Sequence, residues 1–345
     1  MQAAKKGEVI KFFYQHVYLL FILVLLCVQC LESNENKTTP FVGEQISEGV
    51  KESDDLTTEP SPIPAIEIPD KTSYLAPIVL AHGMGSSKSF NEEIITLFKK
   101  EGFPTYTPTV DVYGSVDSRG TQLAEEIKKI VAETGYPKVH IIGHSLGGLD
   151  ARKAAIEVPR MVASVTSIAT PHYGSKIADI ALGVSNTEYS TLVQTVLQVM
   201  FKNKPDKEKL QDSLKDLSEA EAAKQPNRWP VVEGIYYQSW AGVATIQGKL
   251  NSKITEACPT ILGNGKMREL KSPFALISKV VGGFLKNLPN DGVVTIASST
   301  HGVLKGCIPV GHLEQTDPLK DEETDFDVLE FYRSALIPSL PVTFN

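Results

Sequence analysis

Positive charge is scarce in this chain: 34 Lys and Arg stand against 41 Asp and Glu, a net charge of −7, and no basic block occurs in its body. Nucleic-acid binders present a basic face, so that class is disfavoured. Cysteine is also sparse, and four residues cannot build a disulfide-stapled mini-protein. A bilayer span needs about 20 apolar residues, and the unbroken apolar run, Val17 to Val28, falls short of that. Internal repeats are absent. What remains is an ordinary globular composition over 345 residues, which at about 150 residues per domain means two domains or one large α/β unit.

The ends of the chain differ in kind. Lys5, Lys6 and Lys11 precede the apolar run, so residues 1–30 read as a secretory signal or, if uncleaved, an N-terminal anchor. Lipidation at Cys30 is disfavoured because Gln29 stands where a small residue is needed. Residues 31–73 are acidic and Pro-rich, with Pro60, Pro62, Pro64 and Pro69, and cannot bury enough apolar area to order themselves. They read as a disordered tether carrying one glycosylation sequon, Asn36-Lys37-Thr38. Loss of the signal leaves Cys258 and Cys307, which export favours as a disulfide pair; two buried thiols are the alternative.

Residues 74–345 read as the folded domain. Pro77–Ala81, Val139–Ile142, Val162–Ile168 and Ile235–Trp240 are short apolar runs bounded by turn residues, as buried strands are. Thr105–Val110 leans the same way. Phe90–Lys100, Thr121–Thr134 and Leu146–Val158 carry helical patterning between them. Strands alternating with helices imply right-handed crossovers and a mostly parallel sheet covered on both faces. Residues 176–228 break the alternation with an apolar helical stretch, Ile177 to Met200, and a charged one, Lys204 to Lys224. This is an all-helical insertion, either a mobile lid or a fixed cap.

Gly143-His144-Ser145-Leu146-Gly147 is G-x-S-x-G placed between a strand and a helix, the context in which it forms a nucleophile elbow. His82-Gly83-Met84-Gly85 follows the first strand, where this fold supplies one oxyanion N–H; the other comes from the residue after the nucleophile. The donors would be the amides of Met84 and Leu146. A serine nucleophile needs a base and an orienting carboxylate, in the chain order serine, acid, histidine. That order excludes His16, His82, His140 and His144, disfavours His172, and leaves His301 and His312. Asp291, in Asn290-Asp291-Gly292, is either the acid or a plain β-turn residue. Between the late histidines, His312 is favoured by its place after Pro309-Val310-Gly311, whereas His301 reads as surface loop.

Five ordered segments together resemble one family, the secreted bacterial true lipases (family I triacylglycerol lipases) within the α/β hydrolases. They are Val79–Gly85, His140–Arg152, Ala169–Ser175, Tyr237–Gly242, and the pair Asn290–Val294 and Gly311–Glu314. The resemblance covers about residues 75–335 and implies an α/β-hydrolase fold with Ser145 as nucleophile, Asp291 as acid and His312 as base. It implies Met84 and Leu146 as oxyanion donors and Cys258–Cys307 as the family disulfide. No cofactor is implied for the chemistry. A structural calcium is implied, yet Glu314 stands where the family uses Asp, leaving Glu314 as a weak ligand candidate. A dedicated folding chaperone is a further partner found in some members.

The reading is an exported serine hydrolase of carboxylic esters, a triacylglycerol lipase by resemblance, whose partner is lipid at an interface. A phospholipase, acyltransferase or lipid-remodelling esterase would share the same triad. A catalytically inactive hydrolase fold serving as a surface binding protein is the rival from another class.

Overall fold

In a computed structural model the described residues are 75–341, apart from 86–89, 185–186, 202–205, 259, 264, 284 and 317–325. The expected signal at 1–30 and tether at 31–73 lie outside them. All described residues belong to the compact unit Ile66–Asn345.

The strands are β1 (Ile78–Ala81), β2 (Thr105–Tyr106), β3 (Val139–His144), β4 (Val162–Ile168), β5 (Tyr236–Gly242), the two-residue β6 (Ala244–Thr245) and β7 (Arg268–Glu269), and β8 (Val303–Ile308). Six form one sheet in the order β2-β1-β3-β4-β5-β8, every neighbouring pair parallel. β1, β3 and β4 are buried along their whole length. That burial is why they read as continuous apolar runs, since crossover helices cover both faces.

Two of those helices are α1 (Glu92–Lys100) and α2 (Val116–Thr134), followed by α3 (Leu146–Glu157). α2 begins five residues before its expected start: Ser115 caps it by accepting from Ser118 N, and Gly135 in the left-handed region ends it. Leu123, Ala124, Ile127 and Ile130 on its inner face pack with β1, β3 and α3 in one core cluster. A second cluster on the other sheet face holds Ile94, Leu97 and Phe98 of α1 with Phe331 and Tyr332. The β-leaning Thr105–Val110 segment forms only two residues of edge strand.

The insertion is helical, as expected, but more broken. The apolar stretch divides into α4 (Lys176–Ala181) and α5 (Ser190–Met200); the charged one into α6 (Lys207–Asp216) and α7 (Glu219–Ala222), with α8 (Gln225–Arg228) directly after it. A single helix from Ile177 to Met200 does not form, because the chain turns at Gly183 with a φ of 70°. Ile177, Ile180, Val193 and Val196 pack in a core of their own with Ile277, Val280, Val293 and Val294. α9 (Ser252–Ala257) and α10 (Phe274–Gly282) follow β5. Among the described residues no helix is long and apolar enough to cross a membrane.

Candidate active site

β3 runs straight into α3 through Ser145, whose φ and ψ of 54° and −126° are rare for a residue with a side chain. Such strain costs about 1–3 kcal/mol and persists only where the surroundings over-determine it. Here two contacts do so. A Cβ on Gly143 would lie 2.5 Å from the Gly147 carbonyl oxygen, and a Cβ on Gly147 would lie 2.2 Å from the Ala81 carbonyl oxygen. Only bare backbone lets β1, β3 and α3 approach this closely. Ser145 N also donates to Ile168 O at 2.9 Å, tying the turn to β4.

The Ser145 hydroxyl donates to His312 Nε2 at 3.0 Å, and His312 Nδ1–H donates to Asp291 Oδ2 at 2.8 Å. Both partners are buried. Asp291 Oδ1 accepts from the amides of Val293 and Val294 at 3.0 and 2.7 Å. One Asp291 carboxylate oxygen therefore closes the turn while the other faces the imidazole. Gln315, unmarked by any sequence motif, adds a donor to Oδ2 at 3.0 Å.

His312 is further held from behind. His144 Nε2–H donates to the His312 carbonyl at 3.0 Å. Burial, reinforced by the neighbouring His312, holds the His144 imidazole down at about 3, so it stays neutral. His301, expected on a surface loop, lies in a loop but is half-buried. Its ring stacks on His172 at 4.6 Å and meets Tyr237 edge-on at 5.5 Å.

Ser145, His312 and Met84 line one cavity of about 330 Å³ whose remaining wall is mostly apolar, including Ile177, Leu197, Met200 and Leu214 of the insertion. Leu146 opens α3, so its amide has no acceptor within its own helix. Met84 sits on a loop pinned from outside: Arg119 donates to the His82 carbonyl at 2.9 Å. Arg119 is itself fixed by two bonds to Asp150 Oδ2, from Nε at 2.9 Å and from its terminal nitrogen at 2.6 Å. This buried pair spans 31 positions, and neither helix pattern nor motif marks it.

Cys258 and Cys307 are bonded, with Cα atoms 6.0 Å apart. The bridge joins the end of α9 to β8, the strand that leads directly to His312. Among the described residues no group of three or more His, Cys, Asp or Glu side chains could hold a metal ion. The Glu314 carboxylate lies against Gly311.

Comparison with known proteins bears on the fold and family. A family model described as the alpha/beta hydrolase fold matches residues 76–254. A triacylglycerol lipase of Pseudarthrobacter phenanthrenivorans is 28% identical over 284 residues, covering 70% of this chain and 89% of the relative. One from Burkholderia plantarii is 28% identical, covering 70% and 79%. Among solved structures, a Bacillus licheniformis lipase in mature form superposes with a TM-score of 0.52 at 18% identity, covering 81% of this chain and 96% of its own.

Proposed function

Because this chain belongs to the α/β hydrolase fold family, we propose that it is an exported serine hydrolase that cleaves carboxylic esters of lipids through Ser145, His312 and Asp291. One observation carries the reading: a hydrogen-bonded serine, imidazole and carboxylate meet at a strained elbow that opens onto an apolar cavity. As Ser145 Oγ attacks the ester carbonyl, its proton passes to His312 Nε2. Asp291 holds the ring in the tautomer that receives that proton and stabilises the imidazolium. The carbonyl oxygen becomes an oxyanion facing the amides of Met84 and Leu146, each worth about 3 kcal/mol in the transition state. Collapse expels the alcohol, which takes the proton from His312 and leaves an acyl-Ser145. Water activated by His312 then releases the fatty acid and restores the serine.

The apolar wall supports an acyl chain as the bound group, and the names of the relatives support a triacylglycerol substrate. The paired cysteines support an oxidising compartment and hence export. Leu197 and Met200, on one side of α5, line the cavity, while Val193 and Val196 lie in the core; this supports a cap that forms part of the acyl site. A fluorophosphonate probe should label the wild type at Ser145 and leave Ser145→Ala unlabelled. Emulsified triacylglycerol should yield free fatty acid in proportion to the labelled fraction. An unlabelled, folded wild type would establish the inactive binding-protein reading instead.

A further inference from the structure

Two buried arginines, Arg119 and Arg152, differ in their partners. Arg119 is paired with Asp150. Arg152, two turns along α3 from Ser145, is 4% exposed and has no carboxylate within ion-pair distance among the described residues. It donates instead to neutral acceptors: Gln225 Oε1 at 2.9 Å, Trp229 O at 2.6 Å and His172 Nδ1 at 3.3 Å. Burial lowers its guanidinium to about 10, opposed by the Tyr237 and Tyr173 phenols and by no carboxylate. A buried charge without a partner is among the costliest features a fold can carry.

Beside it lies a cavity of about 200 Å³, lined by Arg152, His172, Tyr173, Gln225, Val231 and His301. It shares no residue with the cavity at Ser145. Three of its lining residues carry buried nitrogens that lack any partner: Arg152 Nε, Gln225 Nε2 and His301 Nε2. Arginine and glutamine nitrogens can only donate, and the neutral His301 ring can donate through Nε2. The cavity therefore gathers one fixed positive charge and spare donors from three elements, with no acidic residue in its wall.

We propose that this cavity is a second binding site, for a small oxyanion such as phosphate or a carboxylate, held by Arg152, Gln225 and His301. Such an anion would supply the charge that Arg152 lacks and satisfy the three open nitrogens. It would also tie α3 to α8 of the insertion and to the segment that carries His301, stabilising the cap against the nucleophile helix. Hydrolysis at Ser145 does not require it.

The test is titration of the full-length protein with inorganic phosphate and, separately, with acetate, at an ionic strength held constant with chloride. Calorimetry and thermal melting are the readouts. Saturable binding of either anion, with a melting point that rises with its concentration, is expected. Arg152→Met should abolish it. His301→Phe, which keeps an aromatic ring stacked on His172, should weaken it about tenfold, the value of one hydrogen bond to a charged group. If Arg152→Met does not fold, His301→Phe decides alone. Blocking Ser145 with the fluorophosphonate should leave anion binding intact, which separates this site from the catalytic one. The proposal is overturned if neither anion binds beyond the chloride control, if His301→Phe binds as tightly as the wild type, or if the blocked enzyme no longer binds.

Discussion

Two serines in this molecule touch the Nε2 of a buried imidazole at nearly equal distances: Ser145 on His312 at 3.0 Å, and Ser167 on His172 at 2.9 Å. The third partner differs. His312 Nδ1 faces the Asp291 carboxylate, whereas His172 Nδ1 faces the Arg152 guanidinium. A proton arriving on His312 is met by a negative charge. One arriving on His172 would meet a positive charge, and burial, then His301 and Arg152, hold that ring well below the ordinary histidine range. The serines differ as well, since Ser145 projects from a strained turn onto a cavity while Ser167 lies buried within β4. A serine–histidine contact is therefore not a catalytic unit until a carboxylate and an open face complete it.

The sharpest way to break this comparison is to delete each hydroxyl. Ser145→Ala should lower kcat for p-nitrophenyl ester hydrolysis by about 10⁴ or more, while Ser167→Ala, measured alongside, should stay within a few-fold of the wild type. Equal losses would erase the distinction drawn above. Asp291→Asn should cost about 10⁴ in kcat, because an amide can no longer enforce the His312 tautomer. The circular dichroism spectrum should be unchanged. A variant of normal activity would remove Asp291 from the mechanism.

A smaller effect belongs to the second cluster and appears in stability. Burial holds His301 down at about 4, while an unfolded histidine titrates near 6.5. Between those values the unfolded chain binds the proton and the folded chain does not, so stability falls as pH drops below about 6.5. His301→Phe should remove that loss, gaining about 1–2 kcal/mol relative to wild type at pH 5 compared with the same difference at pH 8. Urea melts at the two pH values measure it; parallel curves at both would contradict the assignment.

Most of the sheet was legible in sequence because parallel strands buried on both faces are dominated by apolar residues. β1, β3, β4 and β5 each fall where an apolar run ends in turn residues. The elbow at Ser145 was legible for a related reason: Gly143 and Gly147 are demanded by backbone contacts that span only a few residues or a neighbouring strand. The insertion was legible as helical yet not as five pieces, since Ser218 caps α7 and Gly183 ends α4's extension through local turn chemistry inside an otherwise helical pattern. The half-burial of His301 was not legible because its stacking partner, His172, is 129 positions away and nothing local announces it.

Local chemistry alone thus determined which segments become buried strands, which serine sits at the elbow, and that an acid and a histidine must follow it. Those features depend on backbone sterics and short-range apolar patterning. Only the tertiary structure decided that His312 rather than His301 meets Ser145, that Gln315 bonds Asp291 and His144 braces His312, and that Arg119 has a counter-ion while Arg152 has none among the described residues. Hydrogen bonds and charges act across space between residues that the chain keeps far apart, and their partners exist only once the sheet has brought its strand ends together.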